Sequence, residues 1–424
     1  MIGTILAGAA GVVAVPAVGG LAWRKGHQRQ FANALEITTP NGIVEQRFVE
    51  VGGIDQWIQI RGEDRDNPVL LVLHGGPGWP NAVFTLPLQP WERHFTVVQW
   101  DHRGTAKTLG RTGKAGSGEM TFDRRVADAV ELIEFLRRHL DTDKVIVLAE
   151  SMGTLTGLSL ALRRPDLLHV LVVTDLYVNM AANEAGTWQL TLERLRAAGN
   201  AKGVAALERI GPNPTRWDLR AWNTNMAWAF RTNVPTPNLD RRLLFPLALT
   251  SPIYTLRDLS SLFVGFQWST AQMFQELKAY DARRLGTRFE VPFFLFQGET
   301  DVVTLTSLAT EYFQEVEAPT KELALIKDAG HFAAFTQPER FLAELRTRVR
   351  PPSSAAPAPR PPGRRERTTV TPLVGGERET FATQPPSKPE PGGGRPGCST
   401  VTDRTSGHLL STDPAWLAAA RKAR

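Results

Sequence analysis

The sequence contains a single cysteine, Cys398, among its 424 residues. One thiol cannot form a disulfide within the chain, so internal disulfide cross-links are excluded. The cysteine content therefore does not indicate whether the protein works in an oxidising or a reducing compartment. No segment repeats with a period of about 20–50 residues, which excludes the repeat architectures built that way. With 42% apolar residues, the chain can instead bury a large hydrophobic core.

The central part of the sequence also lacks an excess of positive charge. The formal net charge is +6, but residues 351–424 contribute a net +5 and residues 24–30 a net +3. Residues 31–350 therefore carry a net −2. A near-neutral central region argues against a phosphate-binding face, so we expect no nucleic-acid partner.

Charged side chains are absent from the first 23 residues. Residues 2–23 are mostly small and apolar, and this length could span a bilayer, which needs about 20 residues. Basic residues follow the run rather than precede it: Arg24, Lys25 and Arg29. By the positive-inside rule, this order predicts that residues 1–23 form a retained membrane anchor, with the following domain on the cytoplasmic side. An export signal is the second choice and a soluble extension the third.

The other end of the chain has a different composition. Residues 351–424 are rich in proline, glycine, serine and arginine and contain few apolar residues. Such a segment buries too little apolar surface to offset its ordering entropy, so we predict a disordered tail, with at most one short helix near its end.

Apolar segments typical of buried strands alternate with helical segments between these ends. The predicted strands are 69–73, 95–100, 144–149, 168–174, 291–298 and 322–327, and an antiparallel hairpin that turns at Gly52 and Gly53 precedes them. Residues 122–140 have the apolar spacing of an amphipathic helix. The alternation predicts an α/β fold with a mostly parallel sheet and helices on both faces.

Residues 175–285 interrupt this alternation. They contain helical patterns, five tryptophans and no clear strand. We predict a helical insertion that covers the edge of the sheet as a cap. The core of the fold would then comprise residues 40–174 and 286–350.

A candidate nucleophile lies where the predicted strand 144–149 meets a helix, in the sequence "AESMG" (149–153). A serine on such a sharp turn is a nucleophile elbow, normally G-x-S-x-G, and Ala149 stands at the first glycine position. Ser151 is therefore the candidate nucleophile. The alternative is a serine that only caps the helix.

A catalytic serine needs a base, and the base needs a carboxylate to orient it. In a fold with this elbow the three groups follow the chain order serine, acid, histidine. Asp301 follows the predicted strand 291–298, and His331 follows the last strand. Asp328 is an alternative acid, ranked lower because it shares a loop with His331.

The sequence "HGGPG" (74–78) follows another buried strand. Such a loop could be a simple tight turn. However, acyl transfer produces an oxyanion that two backbone N–H groups must stabilise by hydrogen bonds. Glycines allow the backbone to approach this oxyanion. We therefore predict an oxyanion hole formed by an N–H group of this loop and by that of Met152, the residue after the nucleophile.

Together these motifs resemble the prolyl aminopeptidase (proline iminopeptidase) family of α/β-hydrolases. The matching stretches are "LHGGPG", "WDHRGTAKT", "ESMG", "GETD" and "GHF", and the similarity covers roughly residues 40–350. The resemblance implies an α/β-hydrolase fold, a Ser151/Asp301/His331 triad, an oxyanion hole at about Gly76 and Met152, and a helical cap that makes the enzyme an exopeptidase. The family usually has glutamine at His102, glycine at Ala149 and often tryptophan at Met152.

Members of this family hold the free amino group of the substrate with acidic cap residues. Glu184 is the preferred candidate here, because Glu193 fits a solvated helix face. The cap tryptophans could form a pocket for a proline ring, although packing within the cap explains them equally well.

The sequence therefore favours an aminopeptidase that releases an N-terminal residue, preferably proline, from a peptide or small amide or ester through an acyl-enzyme. An esterase or amidase with the same triad is the first alternative. A non-catalytic, membrane-tethered binding module is the second. We expect no cofactor and no metal, and the sequence leaves the oligomeric state open.

Overall fold

A computed structural model describes residues 19–232 and 241–349 of the chain. Within this part, eight strands form one sheet in the order β1-β2-β4-β3-β5-β6-β7-β8. The strands are β1 (Ile43–Val51), β2 (Ile54–Gly62), β3 (Val69–Leu73), β4 (Thr96–Asp101), β5 (Val145–Glu150), β6 (Leu168–Thr174), β7 (Phe293–Gly298) and β8 (Lys321–Ile326). Strands β3 to β8 run parallel to one another, which confirms the predicted mostly parallel sheet.

The antiparallel part of the sheet comes from the predicted hairpin. Strands β1 and β2 are joined by Gly52 and Gly53, whose φ angles are 59° and 73°. Both values lie in the left-handed region that favours glycine, as a two-residue hairpin turn requires. Strand β2 then pairs antiparallel with β4.

The helices cover both faces of the sheet. They are α1 (19–34), α2 (Thr85–Leu88), α3 (Ala106–Thr112), α4 (Phe122–Leu140), α5 (Gly153–Arg163), α6 (Met180–Ala197), α7 (Ala201–Ile210), α8 (Leu219–Arg231), α9 (Arg241–Thr250), α10 (Leu256–Ala279), α11 (Thr306–Glu315), α12 (Ala333–Thr336) and α13 (Pro338–Arg348). Alternate residues of β3 belong to opposite cores: Val69, Leu71 and Leu73 to one, Leu70 and Val72 to the other. A strand buried on both faces reads as a continuous apolar run.

Between β6 and β7 the chain forms the helices α6 to α10, and the described part of 175–285 adds no strand to the sheet. An isolated bridge between Asn179 and Asp281 joins the two ends of this segment. Helix α10 approaches the core closely, since a Cβ on Gly265 would lie 2.7 Å from the carbonyl oxygen of Gly104. We propose that the segment acts as a cap.

Helix α1 packs against the end of α9 and the segment between α9 and α10. Arg24 donates hydrogen bonds to the carbonyl oxygens of Leu249 (2.8 Å) and Tyr254 (2.9 Å), and Gln28 donates one to Ser251 (2.8 Å). Arg24, one of the basic residues after the apolar run, is thus engaged with the protein itself.

The predicted terminal segments lie largely beyond the described residues. Residues 1–18 of the predicted anchor and the whole predicted tail from residue 351 fall outside them. Among the helices that the structure describes, none combines the length and the apolar character needed to cross a bilayer.

Candidate active site

Ser151 lies on a strained turn between β5 and α5. Its φ angle is 52°, in the left-handed region that residues other than glycine rarely adopt, and its N–H donates to the carbonyl oxygen of Thr174 at 3.0 Å. A Cβ on Gly153 would lie 2.1 Å from the carbonyl oxygen of Leu73, so only glycine fits there. The strain and the close packing are those of a nucleophile elbow.

The contact between β5 and α5 explains why alanine is accepted at position 149. A Cβ on Gly157 of α5 would lie 2.5 Å from the Cβ of Ala149. The space between strand and helix therefore holds one methyl group, and this chain places it on the strand. Glycine on the helix compensates for the missing first glycine of the motif.

The glycine-rich loop lies directly against the serine. A Cβ on Gly75 would be 2.8 Å from the Cβ of Ser151 and 3.4 Å from its Oγ. Gly76 has a φ of 63°, so its backbone conformation also favours glycine. The buried guanidinium of Arg125 donates a hydrogen bond to the carbonyl oxygen of Pro77 and fixes the loop from the other side.

His331 and Asp301 form a buried pair. Nδ1 of His331 lies 2.9 Å from Oδ2 of Asp301, and both side chains are at most 3% exposed. The other oxygen of Asp301 accepts the backbone N–H groups of Val303 (2.8 Å) and Thr304 (3.0 Å), so the carboxylate is fixed in place. The hydrogen bond at Nδ1 leaves Nε2 available for a reacting group.

The second acid considered from the sequence lies elsewhere. The Asp328 side chain is 67% exposed and pairs with Arg340 at 3.1 Å. Of the two acids, Asp301 is the one that the structure brings to His331.

Most of the predicted site residues line one cavity of about 300 Å³. Its wall includes Gly76, Ser151, Met152, Glu184 and His331, and Asp301 lies behind the imidazole. The rest of the wall is mainly apolar and aromatic, formed among others by Trp79, Tyr177, Trp222, Met226, Phe230, Phe266 and Phe332.

Two further buried carboxyl groups on the wall were missed from the sequence. Asp175 follows β6 with a φ of 51°, and one of its oxygens accepts the N–H of Phe332 at 3.0 Å. Polar atoms of Asp175, Asp301 and His331 lie within 4.8 Å of one another. Glu150 directly precedes the nucleophile and accepts a hydrogen bond from Asn81. Their places at strand ends were the available signal.

The charges of this cluster influence one another. Burial raises the pKa of Asp175 to about 7, with His331 opposing the shift and Asp301 adding to it. Burial also raises the pKa of Glu150 to about 8. Burial alone would lower the pKa of His331, but the charges of Asp301 and Asp175 raise it to about 9.

Glu184 is buried on helix α6, and both of its carboxylate oxygens accept hydrogen bonds. They come from the hydroxyl of Tyr177 (3.1 Å) and from Nδ2 of Asn225 (2.9 Å), and burial raises the pKa of the carboxyl. Glu193 lies exposed on the same helix and accepts from Gln189 at 3.1 Å. A role for Glu184 in binding an amino group stays a prediction.

Side chains of the "DHRG" sequence (101–104) form buried contacts with neighbouring segments. Asp101 accepts a hydrogen bond from the hydroxyl of Tyr254 at 2.6 Å, and Arg103 forms a buried ion pair with Asp128 at 2.9 Å. The ring of His102 stacks on that of His74, with centroids 3.8 Å apart. Burial lowers the pKa of both histidines, to about 3 for His74, so this stack is uncharged at neutral pH.

Comparisons with known proteins agree with this architecture. Residues 68–338 match the family described as alpha/beta hydrolase fold. The chain is 26% identical over 322 residues to the probable aminopeptidase YbaC of Bacillus subtilis (strain 168). The matched region covers 74% of this chain and 99% of that protein.

Two solved structures show the same fold. One is a membrane phospholipase A described as a bacterial virulence factor, with a TM-score of 0.53, 18% identity and coverage of 81% of this chain and 95% of that one. The other is the proline iminopeptidase of Mycobacterium smegmatis, with a TM-score of 0.50, 18% identity and coverage of 71% and 96%. The chain is thus a hydrolase that belongs to the α/β-hydrolase fold family.

Proposed function

We propose that the protein is a serine aminopeptidase that releases an N-terminal residue, preferably proline, through an acyl-enzyme. The observation that carries the proposal is the arrangement at one cavity of a strained elbow serine, Ser151, with the buried pair His331 and Asp301. Nucleophile, base and orienting acid are the three groups that acyl transfer by a serine requires.

In the proposed reaction, Oγ of Ser151 attacks the carbonyl carbon of the substrate while Nε2 of His331 takes the hydroxyl proton. The N–H groups of Gly76 and Met152 stabilise the oxyanion of the tetrahedral intermediate. His331 then gives its proton to the leaving amine, and the C–N bond breaks. Water, deprotonated by His331, hydrolyses the acyl-enzyme and regenerates Ser151. Asp301 holds the imidazole orientation throughout.

The preference for a small N-terminal residue is supported by the cavity. A volume of about 300 Å³ lies at the lower end of ligand pockets and suits one residue better than an extended peptide. Its apolar and aromatic wall fits a proline ring, and its carboxyl groups suit a free amine. The similarity to a probable aminopeptidase and the resemblance to prolyl aminopeptidases favour the same substrate class.

The mainly apolar wall also favours a second candidate, an esterase or amidase that takes a neutral acyl group. The same triad would perform the reaction. The two candidates differ in the need for a free amino group next to the scissile carbonyl.

A substrate panel separates these candidates. It compares p-nitroanilides of proline and alanine, the same anilides with an acylated amine, and p-nitrophenyl esters of short acids. We expect the free-amine anilides to be hydrolysed and the acylated ones to be rejected, with proline preferred over alanine. Equal rates on free and acylated anilides would favour the esterase or amidase. Folded enzyme that hydrolyses none of them would favour the binding module.

A further inference from the structure

Glu150 is a buried carboxyl group whose hydrogen bonding is incomplete. Its side chain lines the cavity, and its Oε2 accepts a hydrogen bond from Asn81. Its Oε1 is buried and has no hydrogen-bond partner among the described residues. An unsatisfied buried oxygen of this kind destabilises the protein, so its presence calls for an explanation.

No described side chain of the wall lies within hydrogen-bond distance of this oxygen. None of the lining residues is a lysine or an arginine, and the imidazole of His331 acts on Glu150 only through its charge, because its Nδ1–H donates to Asp301. A cation that enters the cavity would supply the missing partner. A carboxylate in apolar surroundings binds a cation far more strongly than one in water, because little solvent screens it.

The position of Glu150 in the chain fits the amino group of an N-terminal residue. In such a substrate the nitrogen is two bonds from the carbonyl carbon that Ser151 attacks. The group that binds the nitrogen must therefore lie beside the nucleophile. Glu150 immediately precedes Ser151, whereas Glu184 lies on the cap helix α6 with both oxygens already accepting hydrogen bonds.

We propose that Glu150 binds the ammonium group of the substrate's N-terminal residue and thereby selects acyl groups that carry a positive charge. This inference rests on the proposed function, because it takes Ser151 as the group that attacks the neighbouring carbonyl. It assigns amine recognition to the core of the fold, at the residue before the nucleophile. Glu184 then stabilises the cap through Tyr177 and Asn225.

Burial also reduces the cost of keeping the Glu150 carboxyl in this cavity before a substrate binds. Because burial raises the pKa of Glu150 to about 8, the carboxyl is largely protonated and neutral at pH 7 when no cation is bound. Before the substrate binds, the neutral carboxyl places no unpaired charge in the apolar cavity. When the ammonium group binds, it favours the ionised form of Glu150.

Two matched substrates test the proposal. Proline p-nitroanilide is compared with cyclopentanecarboxylic acid p-nitroanilide, in which a CH₂ replaces the ring nitrogen. The measured quantity is the ratio of kcat/KM for the charged substrate to that for the neutral one. We expect Glu150→Gln to lower this ratio about tenfold or more, as for one partner of a buried charge pair. Gln can still accept from Asn81, so the local packing is preserved.

Two variants serve as comparisons. Glu193→Gln removes an exposed carboxylate of the cap and should leave the ratio unchanged. Glu184→Gln should lower the ratio less than Glu150→Gln does. An unchanged ratio in Glu150→Gln, or a larger loss in Glu184→Gln, would overturn the proposal.

A binding measurement keeps the test independent of turnover and of the folding of the variant. Cyclopentylammonium and the neutral cyclopentanol are compared as protectors of the wild-type enzyme against a fluorophosphonate probe. We expect the cation to protect at about tenfold lower concentration. Equal protection by both would overturn the proposal for Glu150. Labelling that does not map to Ser151 would instead remove the proposed function.

Discussion

His331 lies between two carboxylates that act on it differently. Asp301 accepts the hydrogen bond from Nδ1 at 2.9 Å and so fixes the orientation of the ring. Asp175 contributes charge, and its hydrogen bond from the N–H of Phe332 also holds the loop that carries His331. Phe332 itself has a left-handed φ of 67°, so this bond stabilises a conformation that is otherwise unfavourable.

The charge of Asp175 should be visible in the pH dependence of activity. The base must be neutral to accept a proton, so kcat/KM should rise with pH as His331 deprotonates, with a midpoint near pH 9. The negative charges of Asp301, Asp175 and Glu150 raise this pKa. Asp175→Asn removes one of them, so the rising limb should move to lower pH, by about one unit or more.

Asn keeps an acceptor for the N–H of Phe332, so the loop should stay in place. The control is Asp328→Asn, which changes an exposed acid on the same loop and should not move the limb. A purely structural role for Asp175 would instead lower the rate at all pH values and leave the midpoint where it is in the wild type.

The boundaries of the strands were predicted from the sequence to within two residues at each end. The strand predictions are accurate because strands buried on both faces are continuous apolar runs, as in β3 and β5. Chain order and strand ends likewise predicted Ser151, Asp301 and His331 as a triad. The structure places Asp301 within hydrogen-bond distance of His331, and Ser151 on the same cavity wall as His331. Glu150 and Asp175 escaped notice because strand position does not reveal which side chains turn into a cavity. The partner of Glu184, Asn225, lies 41 residues away on another helix, a contact that only the tertiary structure defines.

The packing of α5 on β5 allows a test of the explanation for Ala149. Gly157→Ala places a methyl group 2.5 Å from the Cβ of Ala149, and we expect the free energy of unfolding to fall by roughly 1–3 kcal/mol. Adding Ala149→Gly removes the clash and should recover most of the loss. Denaturant unfolding of both variants measures the effect.

Gly26 provides the matched control. It lies in helix α1 with no atom near the position of its Cβ, so Gly26→Ala should not destabilise the protein. If Gly157→Ala were equally harmless, or if Ala149→Gly did not rescue it, the elbow would have room for two methyl groups and our explanation of Ala149 would be wrong.

In the described part of the chain, the helical segment α6 to α10 contributes part of the cavity wall beside the hydrolase core, and helix α1 contacts that segment. Helix α1 is bound to residues 249–254 through Arg24 and Gln28, and Tyr254 bonds in turn to Asp101 of the core. This chain of contacts joins the N-terminal region to the cap segment near the site. Membrane anchoring by residues 1–23, with the hydrolase on the cytoplasmic side, stays a prediction from the sequence.

The proposed reaction depends on Ser151 being the nucleophile. The most direct measurement is to react the full-length protein with a fluorophosphonate and to locate the adduct by peptide mass spectrometry. We predict a single modified residue, Ser151, and loss of activity in proportion to its modification. Ser151→Ala should not be labelled and should lose activity on the order of 10³-fold or more while remaining folded. An adduct on a different residue, or a Ser151→Ala variant with near-wild-type turnover, would contradict the account.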